Sequence, residues 1–123
     1  MLTTTASGLA IVLDLFVLFI GVRFLLQPGP AAAGYGVPAQ ENGDPAYLTV
    51  KGLRDTTFAV MGLVLLAFAG VHAEAWFMLV VAVAPLGDTL IVLRHGGTRS
   101  VAFGIHFATA VVVLISAVLL FAA

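Results

Sequence analysis

Four stretches of about twenty apolar residues, at roughly 8–27, 45–70, 75–94 and 101–122, occupy most of this 123-residue chain. Each is long enough to cross a bilayer as a helix, because about 20 residues at 1.5 Å rise match the hydrocarbon thickness. Backbone polar groups have no water to bond inside a membrane, so such runs must close their hydrogen bonds within a helix. With 62% hydrophobic and 9% charged residues, the chain lies far from the roughly 25% charge of a soluble domain. The expected fold is all-α: a four-transmembrane-helix antiparallel bundle, one domain over residues 1–123.

The breaks between the runs are chemically distinct. Pro28-Gly29-Pro30 ends the first run, since proline cannot continue the helical ladder, and a Gly/Ala/Pro-rich loop is expected over 28–44. Asp44-Pro45 fits an N-cap followed by proline at the first helical position. Val71-His72-Ala73-Glu74 reads as a tight turn whose polar residues are solvated, and Trp76 as an interfacial anchor. His95 to Ser100 forms the last turn. Met1 to Ser7 lacks the basic residues of a secretory signal, so the first run is expected to be a permanent span.

All five Lys and Arg residues, at 23, 51, 54, 94 and 99, fall near the membrane face that holds the 28–44 loop. The positive-inside rule then predicts a multi-pass protein of the cell membrane with that loop cytoplasmic and both termini outside. Net charge near zero argues against nucleic acid as a partner. The absence of cysteine excludes disulfides and thiolate catalysis. His95 and His106 lack the clustered spacing of a metal site, and no cofactor motif is present, so neither metal nor cofactor is expected.

The functional signal is a coincidence of depth. Measured along each helix, Arg23, the Lys51/Arg54/Asp55 group, Asp88 and His106 all lie roughly 6–12 Å below one face. Charged residues in hydrocarbon usually face a partner, a cavity or water. Lys51, Arg54 and Asp55 share an arc of about 100°, joined by Phe58 and Gly62. Asp88 shares a face with Val81, Ala84 and Pro85, and the missing proline N–H leaves the Val81 carbonyl free one turn away. His106, Thr109, Val113 and Ser116 form a stripe on the fourth run.

Each residue also has a plainer reading. Lys51 and Asp55, four apart, can neutralise each other, and Arg23 and Arg54 can snorkel to the headgroups. An Asp88–Arg54 pair would offset the roughly 2.5–3.5 kcal/mol of placing Asp deep in a bilayer. His106 can be a core histidine donating to a carbonyl. Asp14, on the face opposite Arg23, can hydrogen-bond Ser116 across the bundle or serve as a proton-carrying carboxylate.

Lys51-Gly52-Leu53-Arg54-Asp55, Gly87-Asp88-Thr89-Leu90-Ile91-Val92 and Gly104-Ile105-His106 occur together with Arg23-Phe24-Leu25-Leu26-Gln27-Pro28 and Gly34-Tyr35-Gly36. As a set they resemble a family of small four-helix membrane proteins known as a domain of unknown function, DUF4267. The resemblance implies a fold but no activity, and it implies that Arg54, Asp55, Asp88 and His106 belong to one motif set.

The favoured expectation is a membrane-embedded enzyme of isomerase, cyclase or hydrolase type, acting on a lipophilic small molecule or lipid. Asp88 and His106 would be the acid and base, with Asp55 as a second or orienting carboxylate. Arg54, Lys51, Arg23 and Tyr35 would bind an anionic or carbonyl group. A proton-coupled small-molecule transporter is one alternative, and a non-catalytic protein that binds a ligand or assembles with partners, itself included, is another. Gly52 is expected to let a neighbouring helix or the 28–44 loop approach closely.

Overall fold

Apolar runs become helices here, and the polar residues at their ends decide where each one stops. The computed structural model describes residues 1–38 and 45–123. Helix α1 spans Leu2–Leu26, α2 Pro28–Tyr35, α3 Ala46–Ala69, α4 Val71–Arg94 and α5 Arg99–Ala122. All except α2 are long and apolar enough to cross a membrane, and no strand occurs among the described residues. The expected all-α fold of four spanning helices is the fold observed.

Several boundaries differ, each for a local reason. α1 starts six residues earlier than Gly8, because Thr5 satisfies the Met1 carbonyl through both its N–H (3.0 Å) and its hydroxyl (3.1 Å). The 28–44 segment is not wholly loop. Pro28 opens α2 at a position where its missing N–H is no loss, and the helix closes in a Schellman turn. There Gly36, at φ 99°, donates to the Ala33 carbonyl and Val37 donates to the Ala32 carbonyl. The expected Asp44 cap lies outside the described residues, but the Pro45 carbonyl does receive the first helical bond of α3, from Thr49.

Residues 71–74 are not a turn. The reversal between α3 and α4 is made at Gly70 alone, whose φ of 95° is open to glycine and strained for other residues. Its N–H closes a wide π-turn onto the Leu65 carbonyl (2.9 Å), and its own carbonyl accepts from Glu74. Glu74 is therefore helical and fully buried, contrary to the solvated role expected of it.

α1 packs along α3, and α4 along α5, with α1 also touching α5. The contacts depend on small residues. A Cβ at Gly52 would stand 2.8 Å from the Gly21 carbonyl oxygen and the Leu25 nitrogen. The close approach expected at Gly52 is thus made to α1. Towards the termini the core is Ala6, Ala10 and Leu13 against Ala75, Met78, Val113, Ala117 and Leu120. Small side chains let membrane helices come together where no hydrophobic driving force acts between them. Many large apolar side chains point outward, among them Leu15, Val80, Val83 and Val118, as a lipid-facing surface requires.

Candidate functional site

At the end of the bundle opposite the termini, α2 folds against α1 and α3 and plugs the space between the spanning helices. Ala31 and Ala32 are buried there with Phe24, and Tyr35 reaches inward. Below it lies a cavity of about 240 Å³, small for a ligand site but large enough for a compact molecule or part of a chain. Phe16, Phe19, Ile20 and Phe24 of α1, Phe58 of α3, Val81 and Ala84 of α4, and Ile105 and Val113 of α5 make its walls apolar. Its polar groups are Arg23, Tyr35, Asp55, Asp88, His106 and Thr109.

Tyr35 connects these groups. Its hydroxyl donates to Asp88 Oδ2, and its backbone carbonyl lies 2.7 Å from His106 Nε2. A carbonyl can only accept, so His106 donates from Nε2, and in the neutral ring the lone pair is then on Nδ1. The Tyr35 ring stands 4.2 Å from the imidazole, edge-on to Phe24 at 5.6 Å, and 4.2 Å from the Lys51 ammonium. Burial, then the charge and hydrogen bond of Asp88, then the charge of Asp55, push the Tyr35 phenol above its ordinary range, so it stays a proton donor.

Lys51 is held 2.5 Å from Asp55 Oδ2, with its ammonium also over the Phe24 ring at 4.4 Å. This is the one ion pair among the described residues. The local folding supports it: an i, i+4 pair on α3 places both side chains on one face, and Thr56 bonds back to the Gly52 carbonyl (2.8 Å).

Two departures from regular helix shape the other walls. On α4, regular bonding lapses at Ala82, where the absent N–H of Pro85 leaves the Val81 carbonyl without its usual partner. Thr89 returns its hydroxyl to the Pro85 carbonyl at 2.8 Å, one residue beyond Asp88. On α5, Ala102–Phe107 is wound as a π-segment, a distortion that often accompanies functional sites and that turns His106 into the core.

The structure brings Asp88, His106, Asp55, Lys51, Tyr35 and Arg23 to the cavity or its immediate edge. Arg54 does not join them. It is exposed, pairs with no acid among the described residues, and does not reach the cavity. The reason is rotational: Lys51 and Asp55 turn the α3 face inward, and Arg54, 100° before Asp55, points away. The expected Asp88–Arg54 pair is replaced by Tyr35–Asp88.

Asp14 is buried on α1, away from this cavity, with its carboxyl against Gly62 and Glu74 rather than hydrogen-bonded to Ser116. Glu74, expected in a solvated turn, joins Asp14 in the core. Its spacing to Met78 and Ala82, i+4 and i+8, was the available sign that it shares their buried face. Among the described residues, no three His, Cys, Asp or Glu side chains converge as metal ligands.

No curated protein matches the chain, and no solved structure does. A family model matches residues 15–120, which include every residue of the cavity named above. The chain belongs to the family described as a domain of unknown function, DUF4267.

Proposed function

We propose that this membrane protein binds a lipophilic small molecule in the cavity beneath α2 and acts on it by acid/base chemistry, of isomerase, cyclase or hydrolase type. The observation that carries the reading is the Tyr35–Asp88 hydrogen bond beside His106 in a cavity whose walls are mainly apolar. A proton donor, a carboxylate acceptor and an imidazole with a defined tautomer meet where bulk water is scarce, which is the arrangement general acid/base catalysis needs. Asp88 takes the role of base, and the Tyr35 hydroxyl orients it as a hydrogen-bond donor that keeps its proton. His106 Nδ1 is the second acceptor. Lys51 fixes Asp55, which biases the charge around Tyr35. Arg23 has no ion pair among the described residues and lines the cavity, so its guanidinium is the group for a ligand's carbonyl or anionic oxygen.

A binding role without turnover is supported by one observation: Tyr35 is already bonded to both Asp88 and His106, and Lys51 to Asp55. One experiment separates the readings. The protein is purified in native-lipid particles, extracted with organic solvent and profiled by mass spectrometry as wild type, R23A, D88N and R54A. The expected result is a lipophilic species enriched in wild type and R54A and reduced at least about tenfold in R23A, as loss of a charged hydrogen bond predicts. D88N should retain a chemically different, unconverted species. Identical species in wild type and D88N would leave binding alone, and identical profiles in all four proteins would end both readings.

The clustering of Arg23, Lys51, Arg54, Arg94 and Arg99 towards the α2 end supports a cytoplasmic α2 and external termini. The chain has no cysteine, so single cysteines report cleanly. In intact cells an impermeant maleimide should label Ala123→Cys and spare Pro38→Cys; the reverse pattern inverts the topology.

A further inference from the structure

Asp14 and Glu74 form a second polar site, separate from the cavity and on the termini side of it. Glu74 is 0% exposed and Asp14 3%. Their carboxyls neighbour each other across the α1–α4 contact, and a Cβ at Gly62 of α3 would collide with the Asp14 carboxyl. Ser116 of α5 is also 0% exposed, on the face it shares with Val113 and Leu120, which pack with Leu13 and Ala75. Both oxygens of Glu74, Oδ2 of Asp14 and Oγ of Ser116 have no hydrogen-bond partner among the described residues.

Among the described residues no cation compensates the two acids. α1 contributes no second ionisable group at this level, α3 contributes Gly62 and α5 contributes Ser116. His72, the basic residue of this part of α4, is exposed and lies against the Phe121 ring. Two carboxylates offer only acceptors and cannot bond each other, whereas one protonated acid and one carboxylate can. Burying both as ions without a partner would cost several kcal/mol each by desolvation alone.

We propose that Asp14 and Glu74 are a proton-binding site, a carboxyl pair that holds one proton in common at neutral pH. Binding forms one carboxyl O–H bond, and that hydrogen is donated to the facing carboxylate. The glycine at 62 supplies the room.

Infrared spectroscopy of the protein in lipid vesicles tests this through the C=O stretch of protonated carboxyl groups. Wild type at neutral pH should show the band, unchanged when sodium is exchanged for potassium or a bulky organic cation. The chain has six Asp and Glu residues, so D55N/D88N leaves only positions 14, 41, 44 and 74 and should retain the band. D14N/E74Q should lose it. If that double variant does not fold, E74Q alone must move or bleach the band. Three results overturn the proposal: no band in wild type, a band unaffected by substitution at 14 and 74, or a band bleached by sodium at constant pH. The last would make the site one for a metal cation.

Discussion

Leucine at position 52 should unfold the bundle. A Cβ there meets the Gly21 carbonyl oxygen and Leu25 nitrogen at 2.8 Å and the Phe24 Cβ at 2.9 Å. From the other side, a Cβ at Gly21 would stand 2.6 Å from the Thr56 nitrogen and 2.9 Å from the Gly52 carbonyl oxygen. These are main-chain atoms of two helices, so no rotamer change relieves the clash. Overpacking usually costs about 1–3 kcal/mol where side chains can shift, and G52L should exceed that range. At about 1.4 kcal/mol per factor of ten, this is at least about a hundredfold in the folded-to-unfolded ratio. Unfolding by heat or by detergent titration measures it. Gly8→Ala is the control, since nothing lies within 4 Å of a Cβ there, and it should be neutral or slightly stabilising. Equal stability of G52L and wild type would mean that α1 and α3 do not meet through these glycines.

Asp88→Leu should release α2 from the bundle. The substitution leaves the half-buried Tyr35 hydroxyl without its acceptor, a loss of roughly 1–3 kcal/mol. Amide exchange across α2 should accelerate about 10–100-fold as local opening becomes easier. Asp88→Asn should behave differently, because an amide oxygen still accepts from the phenol while the negative charge is gone. D88N therefore keeps α2 docked and removes only the base. Tyr35→Phe should cost less than D88L, and in a double-mutant cycle the two should couple rather than add. Additive effects would show that the hydroxyl and carboxylate do not depend on each other. His106→Ala removes the other anchor of Tyr35, the bond to its backbone carbonyl, and should accelerate exchange in the same segment.

Much of this architecture is legible in the sequence because bilayer thickness imposes a length on apolar runs. Depth is legible too: counting residues from the helix ends places Asp55, Asp88 and His106 in one layer, and the structure has them around one cavity. Rotation is not. Arg54 and Asp55 are adjacent in sequence and equally plausible at the axis, but helix packing faces one inward and the other out. α2 escaped because eight residues of Pro, Ala, Gly and Tyr carry no hydrophobic period, and its order comes from tertiary bonds at Tyr35. The π-segment at Ala102–Phe107 leaves no compositional mark either. The burial of Glu74 is not legible because charged residues after Gly70 fit a turn equally well, and only the positive φ of Gly70 lets the reversal end before them.

The glycine crossing of α1 and α3 has a mechanical consequence. Where the main chains touch, no layer of side chains separates α1 from α3, so that contact can be loosened only by parting the two backbones. On the other side of the cavity the backbone ladders of α4 and α5 are interrupted by Pro85 and by the π-segment, and Asp88 and His106 stand beside those interruptions.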